Sequence, residues 1–231
     1  MTVTLITGAN KGLGFETARQ LLKAGHTVYI GARDTRRGQA AARELGACFV
    51  RLDVTDQQAV DAAAAAVGEA EGHLDVLVNN AGISGRYAPA PQVDAVEMER
   101  VFATNVFGIV RVTRAFLPLL QASRRPVIVN VGSALGSAAV VTDPARMESG
   151  LPALAYASSK AAAIMLTVQY AKALPGMKVN AVEPGFTATD LNGNRGHQSV
   201  TEGAQIIVTM ATIGADGPTG TFCDRNGTMP W

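Results

Sequence analysis

The chain has 231 residues, and its 20 lysines and arginines nearly balance its 19 aspartates and glutamates, for a formal net charge of +1. This length is enough for one domain with a substantial hydrophobic core. There is no basic tail and no block of like charges. We therefore expect no nucleic-acid partner, because nucleic-acid-binding proteins usually carry a clustered positive surface.

The amino-terminal residues MTVTLITGAN lack the basic segment and long apolar run of a secretory signal. Glycines and polar residues interrupt the apolar stretches before membrane-spanning length, so we expect no membrane association and a cytoplasmic location. Cys48 and Cys223 are too few and too distant for a disulfide framework, and we expect two reduced thiols packed as small apolar residues. His26, His73 and His197 have no ligand spacing, which predicts no metal site.

Short β-rich segments alternate with helical segments along the whole chain. The predicted strands cover residues 3–7, 26–32, 47–52, 75–80, 125–133, 177–184 and 219–224. The predicted helices cover residues 12–24, 36–45, 57–70, 94–121, 154–174 and 201–213. Strands that alternate with helices pair in parallel and are covered by helices on both faces. The pattern predicts one α/β domain over residues 1–231, a doubly wound Rossmann domain whose parallel sheet has about seven strands.

The segment TGANKGLG, residues 7–14, follows the first predicted strand and opens the first predicted helix. In this position Gly8 allows a tight turn, Gly12 lets a diphosphate approach the backbone, and Gly14 lets the helix pack closely on the sheet. The amides and the dipole of the helix then face the phosphates. The segment predicts a dinucleotide site, with a glycine-rich turn that binds nothing as the alternative.

The residues after the second predicted strand indicate which dinucleotide binds. An NAD site usually has an acid there for the ribose 2′-hydroxyl, whereas this chain has Arg33, and Lys11 lies in the glycine loop. Two cations near the ribose favour a 2′-phosphate, so we predict NADPH/NADP+ as the cofactor. Asp34 is the counter-argument, since it would either reach a ribose or pair with Arg36 or Arg37.

Tyr156 and Lys160 lie four residues apart in the segment YASSK, on one face of a predicted helix. A cation beside a phenol favours the phenolate, so we expect Lys160 to lower the pKa of Tyr156 toward the range of an effective general acid. Ser133 ends the fifth predicted strand, where its hydroxyl would hold a carbonyl oxygen. Asn105 would dock a water or a backbone group that orients Lys160 and relays protons. Each residue alone has a structural explanation, and the combination with the dinucleotide loop favours catalysis.

These motifs resemble the short-chain dehydrogenase/reductase family over essentially the whole chain. The matching segments, besides the glycine loop, are Asp53–Val54, NNAG at 79–82, the candidates Asn105, Ser133, Tyr156 and Lys160, and PG at 184–185 followed by Thr189. The resemblance implies that those four candidates are the catalytic residues. It also implies a cofactor site made by Gly8, Asn10, Lys11, Gly12, Leu13, Gly14, Arg33, Asp53, Val54, Asn80, Ala81, Gly82, Tyr156, Lys160, Pro184, Gly185, Thr187 and Thr189.

Within the family, the segments GANKG and ARDTRRGQAA and the carboxyl-terminal residues resemble NADPH-dependent carbonyl reductases. This narrower resemblance implies reduction of an aldehyde, ketone or quinone, with a proton from Tyr156. The alternatives are an alcohol dehydrogenase that works in the oxidative direction and a protein that senses NADP(H) without chemistry. Neither the substrate nor the oligomeric state follows from the sequence.

The interval of 23 residues between Ser133 and Tyr156 exceeds the common family spacing. We expect an inserted segment near residues 140–152 to form a wall or lid on the substrate side. Small and apolar residues around this position predict a hydrophobic pocket for a small-molecule carbonyl substrate. The candidate substrate contacts are Ser133, Leu135, Met147 and Phe186. The loop at residues 190–200 is expected to close over the cofactor, with a fixed surface loop as the alternative.

Overall fold

The computed structural model describes all 231 residues. The strands are β1 (Val3–Thr7), β2 (Thr27–Ala32), β3 (Cys48–Arg51), β4 (Val76–Asn79), β5 (Val127–Val131), β6 (Lys178–Val182), β7 (Phe222–Asp224) and β8 (Gly227–Thr228). The helices are α1 (Gly12–Lys23), α2 (Thr35–Leu45), α3 (Gln57–Glu71), α4 (Ala95–Asn105), α5 (Phe107–Gln121), α6 (Ala138–Val141), α7 (Leu154–Ala173) and α8 (Val200–Ala211). The predicted single α/β Rossmann-like domain is confirmed.

The strands form one sheet in the order β3-β2-β1-β4-β5-β6-β7-β8. The seven predicted strands all pair in parallel, and β8 adds an antiparallel edge against β7. The sequence pattern missed β8 because a two-residue strand that begins with a glycine has no alternation to detect. The strand order reverses between β1 and β4, and this reversal opens a crevice at the carboxyl ends of the strands, where such sheets bind ligands.

Two layers of helices cover the sheet. On one face, α1, α2 and α8 pack on the strands around a buried cluster that includes Leu21 and Ile207. On the other face, α3 and α5 enclose a second cluster around Val60 and Phe116. Because both faces are covered, the central strands are buried along their whole length, which explains their nearly continuous apolar sequence.

The helix predicted over residues 94–121 is wrong as a single element, because the structure divides it at Val106. This residue has φ −117° and ψ −62°, outside regular helical geometry, and separates α4 from α5. The Asn105 side chain bonds to the backbone of Ile83 at the break and so ties the end of α4 to the segment after β4. Asn105 is therefore the last residue of α4, and its side chain lies against the segment after β4.

Taken together, Ala95–Gln121 is long and apolar enough to cross a membrane by length and composition alone, with a mean hydropathy of 1.2 in its most apolar window. Polar residues such as Arg100 and Arg111 interrupt its apolar residues, and the expected lack of membrane association stays a prediction. Much of that window, 44%, is buried inside the fold. Core helices of globular proteins also show this combination.

The two cysteines differ in environment, and neither forms a disulfide. Cys223 is buried in β7, as expected, but Cys48 is exposed at the start of β3. The expectation that both thiols are packed is therefore wrong for Cys48, because β3 lies at the edge of the sheet. No group of three or more histidine, cysteine, aspartate or glutamate side chains is arranged to hold a metal ion.

The segment between Ser133 and Tyr156 is structured. It contains α6 and a 3-10 turn over Met147–Gly150, neither of which the sequence pattern predicted. The Ser137 hydroxyl caps α6 through the amide of Val140 and also donates to the carbonyl of Pro230 at 2.9 Å. The carboxyl-terminal residues therefore hold this segment in place beside the sheet edge.

Buried amide and hydroxyl groups tie α7 to the sheet. Asn79 Nδ2 on β4 donates to Asn130 Oδ1 on β5 at 2.9 Å, and Asn130 Nδ2 donates to Thr167 Oγ1 on α7 at 2.9 Å. These groups are buried, so losing one partner would leave the other unsatisfied at a cost of about 1–3 kcal/mol. The chain of bonds fixes the depth at which α7 lies on the sheet.

Gly136, in the 3-10 turn Ala134–Gly136, lets the segment after β5 touch the backbone of α7. A Cβ at this position would lie 2.6 Å from the carbonyl carbon of Lys160 and 2.8 Å from the nitrogen of Ala161. Because the obstructing atoms are backbone atoms, they cannot rotate away. We expect Gly136→Ala to lower the free energy of unfolding in urea by about 1–3 kcal/mol through overpacking.

The matched control for that change is Gly150→Ala, since a Cβ on Gly150 would meet nothing within 4 Å. We expect the control to change the free energy of unfolding by less than about 0.5 kcal/mol. Equal stability of the two variants would contradict the close contact between this turn and α7.

Candidate active site

One cleft of about 960 Å³ lies at the carboxyl ends of the strands, at the crevice between β1 and β4. Every site residue predicted from the sequence lines it except Asn105. The lining residues among those predicted are Gly8, Asn10, Lys11, Gly12, Leu13, Gly14, Arg33, Asp53, Val54, Asn80, Ala81, Gly82, Ser133, Leu135, Met147, Tyr156, Lys160, Pro184, Gly185, Phe186, Thr187 and Thr189. The fold therefore brings together residues from the whole length of the chain.

The glycine loop presents free backbone amides to the cleft. Helix α1 begins at Gly12 and has no side chain that caps its first amides. Gly12 has φ +59° and faces open space apart from Thr189, whereas a Cβ on Gly14 would lie 2.5 Å from Asn80 Nδ2. Unsatisfied amides at a helix start, with an open approach, are suited to the diphosphate of a dinucleotide.

The end of β2 lies at one end of the cleft, where Arg33 is exposed and lines the wall. The Asp34 carboxylate faces elsewhere: it caps α2 by accepting the amide of Arg37 at 2.9 Å. Asp53 accepts the amide and the hydroxyl of Thr55, at 2.9 and 2.7 Å. The sequence left Asp34 either reaching a ribose or pairing with Arg36 or Arg37. In the structure Asp34 caps α2 and its carboxylate lies 3.9 Å from the Arg37 guanidinium.

Lys11 forms an ion pair with Asp190 across the cleft, with 2.8 Å between Nζ and Oδ2. Both side chains remain more than half exposed, so the pair is a weak contact that a competing anion can replace. The pair joins the glycine loop to the loop at residues 190–200. Lys11 therefore lies at the cleft, but with a carboxylate as its partner.

The segment after β4 is held against the glycine loop by Thr7 and Asn80. The Thr7 hydroxyl accepts the amides of Asn80 and Ala81, each at 3.0 Å, and Asn80 Nδ2 donates to the Thr7 carbonyl at 2.8 Å. These bonds use the Asn80 side chain inside the protein. Gly82 follows, and a Cβ there would lie 3.7 Å from Lys160 Nζ, so its lack of a side chain leaves space beside the lysine.

Tyr156 and Lys160 lie one turn apart on α7, and both are largely buried while lining the cleft. Lys160 Nζ donates to the carbonyl oxygen of Val131, at the end of β5, at 2.7 Å. The same nitrogen is 5.5 Å from the centre of the Tyr156 ring. The last residue of β5 thus orients the ammonium toward the phenol.

The expectation that the pKa of Tyr156 is lowered toward neutral pH is wrong for this structure. Burial raises the pKa of Tyr156, the negative charge of Glu183 and the Tyr87 phenol raise it further, and only Ser133 opposes them. Burial also lowers the pKa of Lys160 to about 8, and Glu183 opposes that change. Both charged forms lose hydration on burial, and this loss is the largest influence on the pKa of each residue. The phenol is therefore protonated at neutral pH.

Ser133 lies two residues after the end of β5, with its side chain toward Tyr156. Its hydroxyl accepts the amide of Leu135 at 3.3 Å and so caps the 3-10 turn that follows. The same side chain favours the phenolate form of Tyr156 through a hydrogen bond that lowers the pKa. The turn holds the hydroxyl at the cleft wall, within reach of both Tyr156 and a ligand.

Asn105 is buried and does not line the cleft. Its Oδ1 accepts the amide of Ile83, and its Nδ2 donates to the Ile83 carbonyl and to Ser159 Oγ, each at 2.9 Å. Asn105 thus contacts Ile83, the residue after Gly82, and Ser159, in the turn of α7 between Tyr156 and Lys160. The sequence suggested either that Asn105 orients Lys160 or that it satisfies buried backbone groups. The observed hydrogen bonds go to buried backbone groups and to Ser159, and none of them goes to Lys160.

The loop after β6 is fixed by Thr187 and Gln198. The buried Thr187 hydroxyl contacts Gln198 Nε2 at 3.0 Å, and the backbones of the two residues form a bridge. Asn192 Nδ2 donates to the Thr187 carbonyl at 2.8 Å. In this structure the segment at residues 190–200 is thus tied to the cleft by hydrogen bonds, and its closure over a cofactor stays a prediction.

The cleft residues that the sequence pattern missed include Glu183, Tyr87 and Glu148. Glu183 follows β6 immediately, and an acid at the carboxyl end of an apolar strand is a signal that would have identified it. Tyr87 and Glu148 come from segments without periodic pattern. An isolated backbone bridge between Ala88 and Ala153 places the Tyr87 segment beside the start of α7.

The outer part of the cleft is apolar although it is open to solvent. Five of its large hydrophobic side chains are more than a third exposed: Tyr87, Met147, Leu151, Phe186 and Leu191. Soluble proteins rarely gather exposed apolar side chains around one opening without a ligand to cover them. The Phe186 ring is supported by an edge contact with His197, with 5.7 Å between ring centres.

Comparison with known proteins agrees with this geometry. The family model described as "short chain dehydrogenase" matches residues 2–200. The short-chain dehydrogenase anuI of Penicillium roqueforti is 38% identical, with 92% of this chain and 89% of the relative covered. Salutaridine reductase of Papaver bracteatum is 31% identical, with 97% and 94% covered.

Among solved structures, the NADPH-bound carbonyl reductase from chicken fatty liver superposes with a TM-score of 0.87 at 29% identity, covering 100% of both chains. Salutaridine reductase from Papaver somniferum has a TM-score of 0.84 at 28% identity, with 96% of this chain and 99% of that chain covered. The chain belongs to the short chain dehydrogenase family of nicotinamide-dependent oxidoreductases.

Proposed function

We propose that this protein reduces the carbonyl group of an apolar small molecule to an alcohol with NADPH, and that Tyr156 donates the proton. The observation that carries the proposal is the position of Tyr156, Lys160 and Ser133 together on one wall of the dinucleotide cleft. Similarity to an NADPH-bound carbonyl reductase and to salutaridine reductases supports the direction of the reaction.

Several residues of the cleft support a dinucleotide with a 2′-phosphate as the proposed cofactor. The uncapped start of α1 offers amides to the diphosphate, and Arg33 lines the cleft at the end of β2. Asp34, the acid that would favour NAD, has its carboxylate engaged as the cap of α2. Lys11 would exchange Asp190 for the phosphate, since their ion pair is exposed. Guanidinium and ammonium groups suit a phosphate better than a ribose hydroxyl.

In the proposed reaction, a nicotinamide cofactor held in the cleft would supply the hydride that the carbonyl carbon accepts. Ser133 donates a hydrogen bond to the carbonyl oxygen and holds it beside the Tyr156 hydroxyl. The oxygen becomes strongly basic as the carbonyl is reduced, so a phenol with a raised pKa still transfers its proton. The Lys160 ammonium and the Ser133 hydroxyl then stabilise the phenolate in a site of low polarity.

The exposed apolar side chains at the cleft mouth support a substrate with a bulky hydrophobic body. The 3-10 turn Met147–Gly150 supplies Met147 to one side, and the loop after β6 supplies Phe186 to the other. A ligand that covers these side chains gains about 25 cal/mol for each Å² of apolar surface removed from water. The inserted segment thereby acts as the substrate-side wall.

The first test replaces the proton donor. We expect Tyr156→Phe to lower the turnover of NADPH with an active carbonyl by about 10²–10⁴-fold, which is the usual contribution of a general acid. NADPH binding, measured by nicotinamide fluorescence, should change little because the ring stays in place. The substrate panel should contain quinones, aryl ketones, keto esters and aldehydes.

Tyr170→Phe is the matched control, because Tyr170 lies further along α7 and does not line the cleft. We expect it to keep near-normal turnover. Near-normal turnover by Tyr156→Phe would reject the proposed donor, and wild-type protein that binds NADPH but oxidises it with no carbonyl would reject the proposed reaction.

The second test concerns the cofactor. We expect Arg33→Ala to weaken NADPH binding roughly 10- to 100-fold, since a charge-assisted hydrogen bond to the 2′-phosphate is lost, and to leave NADH binding nearly unchanged. Dissociation constants for both cofactors, measured by titration calorimetry, check this. Arg36→Ala is the control, because Arg36 is exposed on α2 and does not line the cleft. Unaltered NADPH binding by Arg33→Ala would contradict the assignment.

A further inference from the structure

Glu183 is a carboxylate that lines the cleft and that the reaction above does not use. It follows β6 directly, and both of its oxygens are engaged by backbone amides. Oε1 accepts the amide of Gly185 at 2.7 Å, and Oε2 accepts the amide of Ala134. The side chain therefore bridges the turn after β5, which begins with Ser133, and the turn after β6.

The charged and titratable groups that face Glu183 come from two other elements. Lys160 and Tyr156 face it from α7, and Glu148 faces it from the 3-10 turn of the inserted segment. Tyr87 in turn faces Tyr156. Lys160 is the cation of this group, and its closest partner is the neutral carbonyl of Val131, without an ion pair within 4 Å. Glu183 and Lys160 thus interact through space as opposite charges that line the same cleft.

A buried ammonium whose hydrogen bond goes to a carbonyl tends to lose its proton, because burial penalises the charged form. In this protein burial is the largest influence on the pKa of Lys160, and the Glu183 charge is the influence that opposes it. Burial raises the pKa of Glu183 itself, while the two amides and Lys160 act in the opposite direction. Each of the two charges therefore shifts the pKa of the other group toward its ionised form.

We propose that Glu183 is a positioning residue for the proposed reaction: its carboxylate joins the Ser133–Ala134 turn to the Gly185 turn and supplies the negative charge that keeps the Lys160 ammonium in place beside Tyr156. The proposal rests on the proposed function for its catalytic meaning. The electrostatic link between Glu183 and Lys160 can be measured without any turnover.

The test is a nuclear magnetic resonance titration of lysine side chains labelled with ¹³C at Cε. The chain has five lysines, so the signals are few, and Lys160→Arg identifies the one that belongs to Lys160. In the wild-type protein we expect this signal to titrate near pH 8. In Glu183→Gln the midpoint should fall by roughly one pH unit, since an opposite charge has been removed.

Glu183→Asp and Glu148→Gln are the comparison variants. The first keeps a negative charge while altering the contacts to the amides, and the second removes a carboxylate that faces Glu183 rather than Lys160. Both should leave the Lys160 midpoint within a few tenths of a unit of the wild type. If Glu183→Gln does not fold, Glu183→Ala provides the neutral variant.

An unchanged Lys160 midpoint in the folded neutral variant would overturn the proposal, and so would equal shifts in Glu183→Gln and Glu183→Asp, since packing would then be the cause. With an active substrate, the high-pH limb of kcat/KM should move to lower pH in Glu183→Gln by the same amount as the midpoint. A uniform loss of activity at all pH values would show a structural role only. Absence of any turnover by the wild-type protein would reject the proposed function and leave the lysine titration as a valid test.

Discussion

The active site depends on one buried cation. Lys160 lies under the surface of the cleft with its ammonium bonded to the last carbonyl of β5, and the Tyr156 ring is one helical turn away. An ammonium in such a place loses most of its hydration, and a single carbonyl does not replace it. The remaining stabilisation must come from charge supplied by the surrounding chain, and Glu183 is the group placed to supply it.

The fold makes this arrangement rigid. Parallel strands end at one edge of the sheet, so Val131 and Ser133 at the end of β5 meet Glu183 at the end of β6. The contact at Gly136 and the buried bonds through Asn130 hold α7 at a fixed depth against these strand ends. Catalysis that depends on the positions of the reacting groups requires those positions to be fixed to well below an ångström. Packed secondary structure fixes them better than loops do.

The same edge of the sheet separates two recognition tasks. Backbone amides and Arg33 lie at the dinucleotide end, whereas exposed apolar side chains from the inserted segment and the loop after β6 lie at the other end. In the proposed reaction, specificity for the carbonyl compound resides in the inserted segment and the loop after β6, apart from Tyr156 and Lys160 on α7. This division is expected for doubly wound enzymes, in which loops carry specificity and the sheet carries the chemistry.

Local sequence patterns were sufficient to predict the strands, the glycine loop and the pairing of Tyr156 with Lys160, because each is a property of a short segment. They were insufficient where distant segments meet. The break at Val106 follows from the bonds between Asn105 and Ile83, which no periodicity reports. The direction of the Tyr156 pKa was mispredicted because one neighbouring charge was considered without the burial that both groups share.

The ammonium form of Lys160 is the central claim, and the rate of hydride transfer in a single turnover tests it most directly. NADPH-loaded protein is mixed with a carbonyl substrate at a series of pH values, and the loss of nicotinamide absorbance is followed. The account predicts a rate that is constant in neutral solution and falls as the pH rises through about 8, where Lys160 loses its proton. A rate that stays constant up to pH of about 10, the ordinary range of lysine and tyrosine, would contradict it.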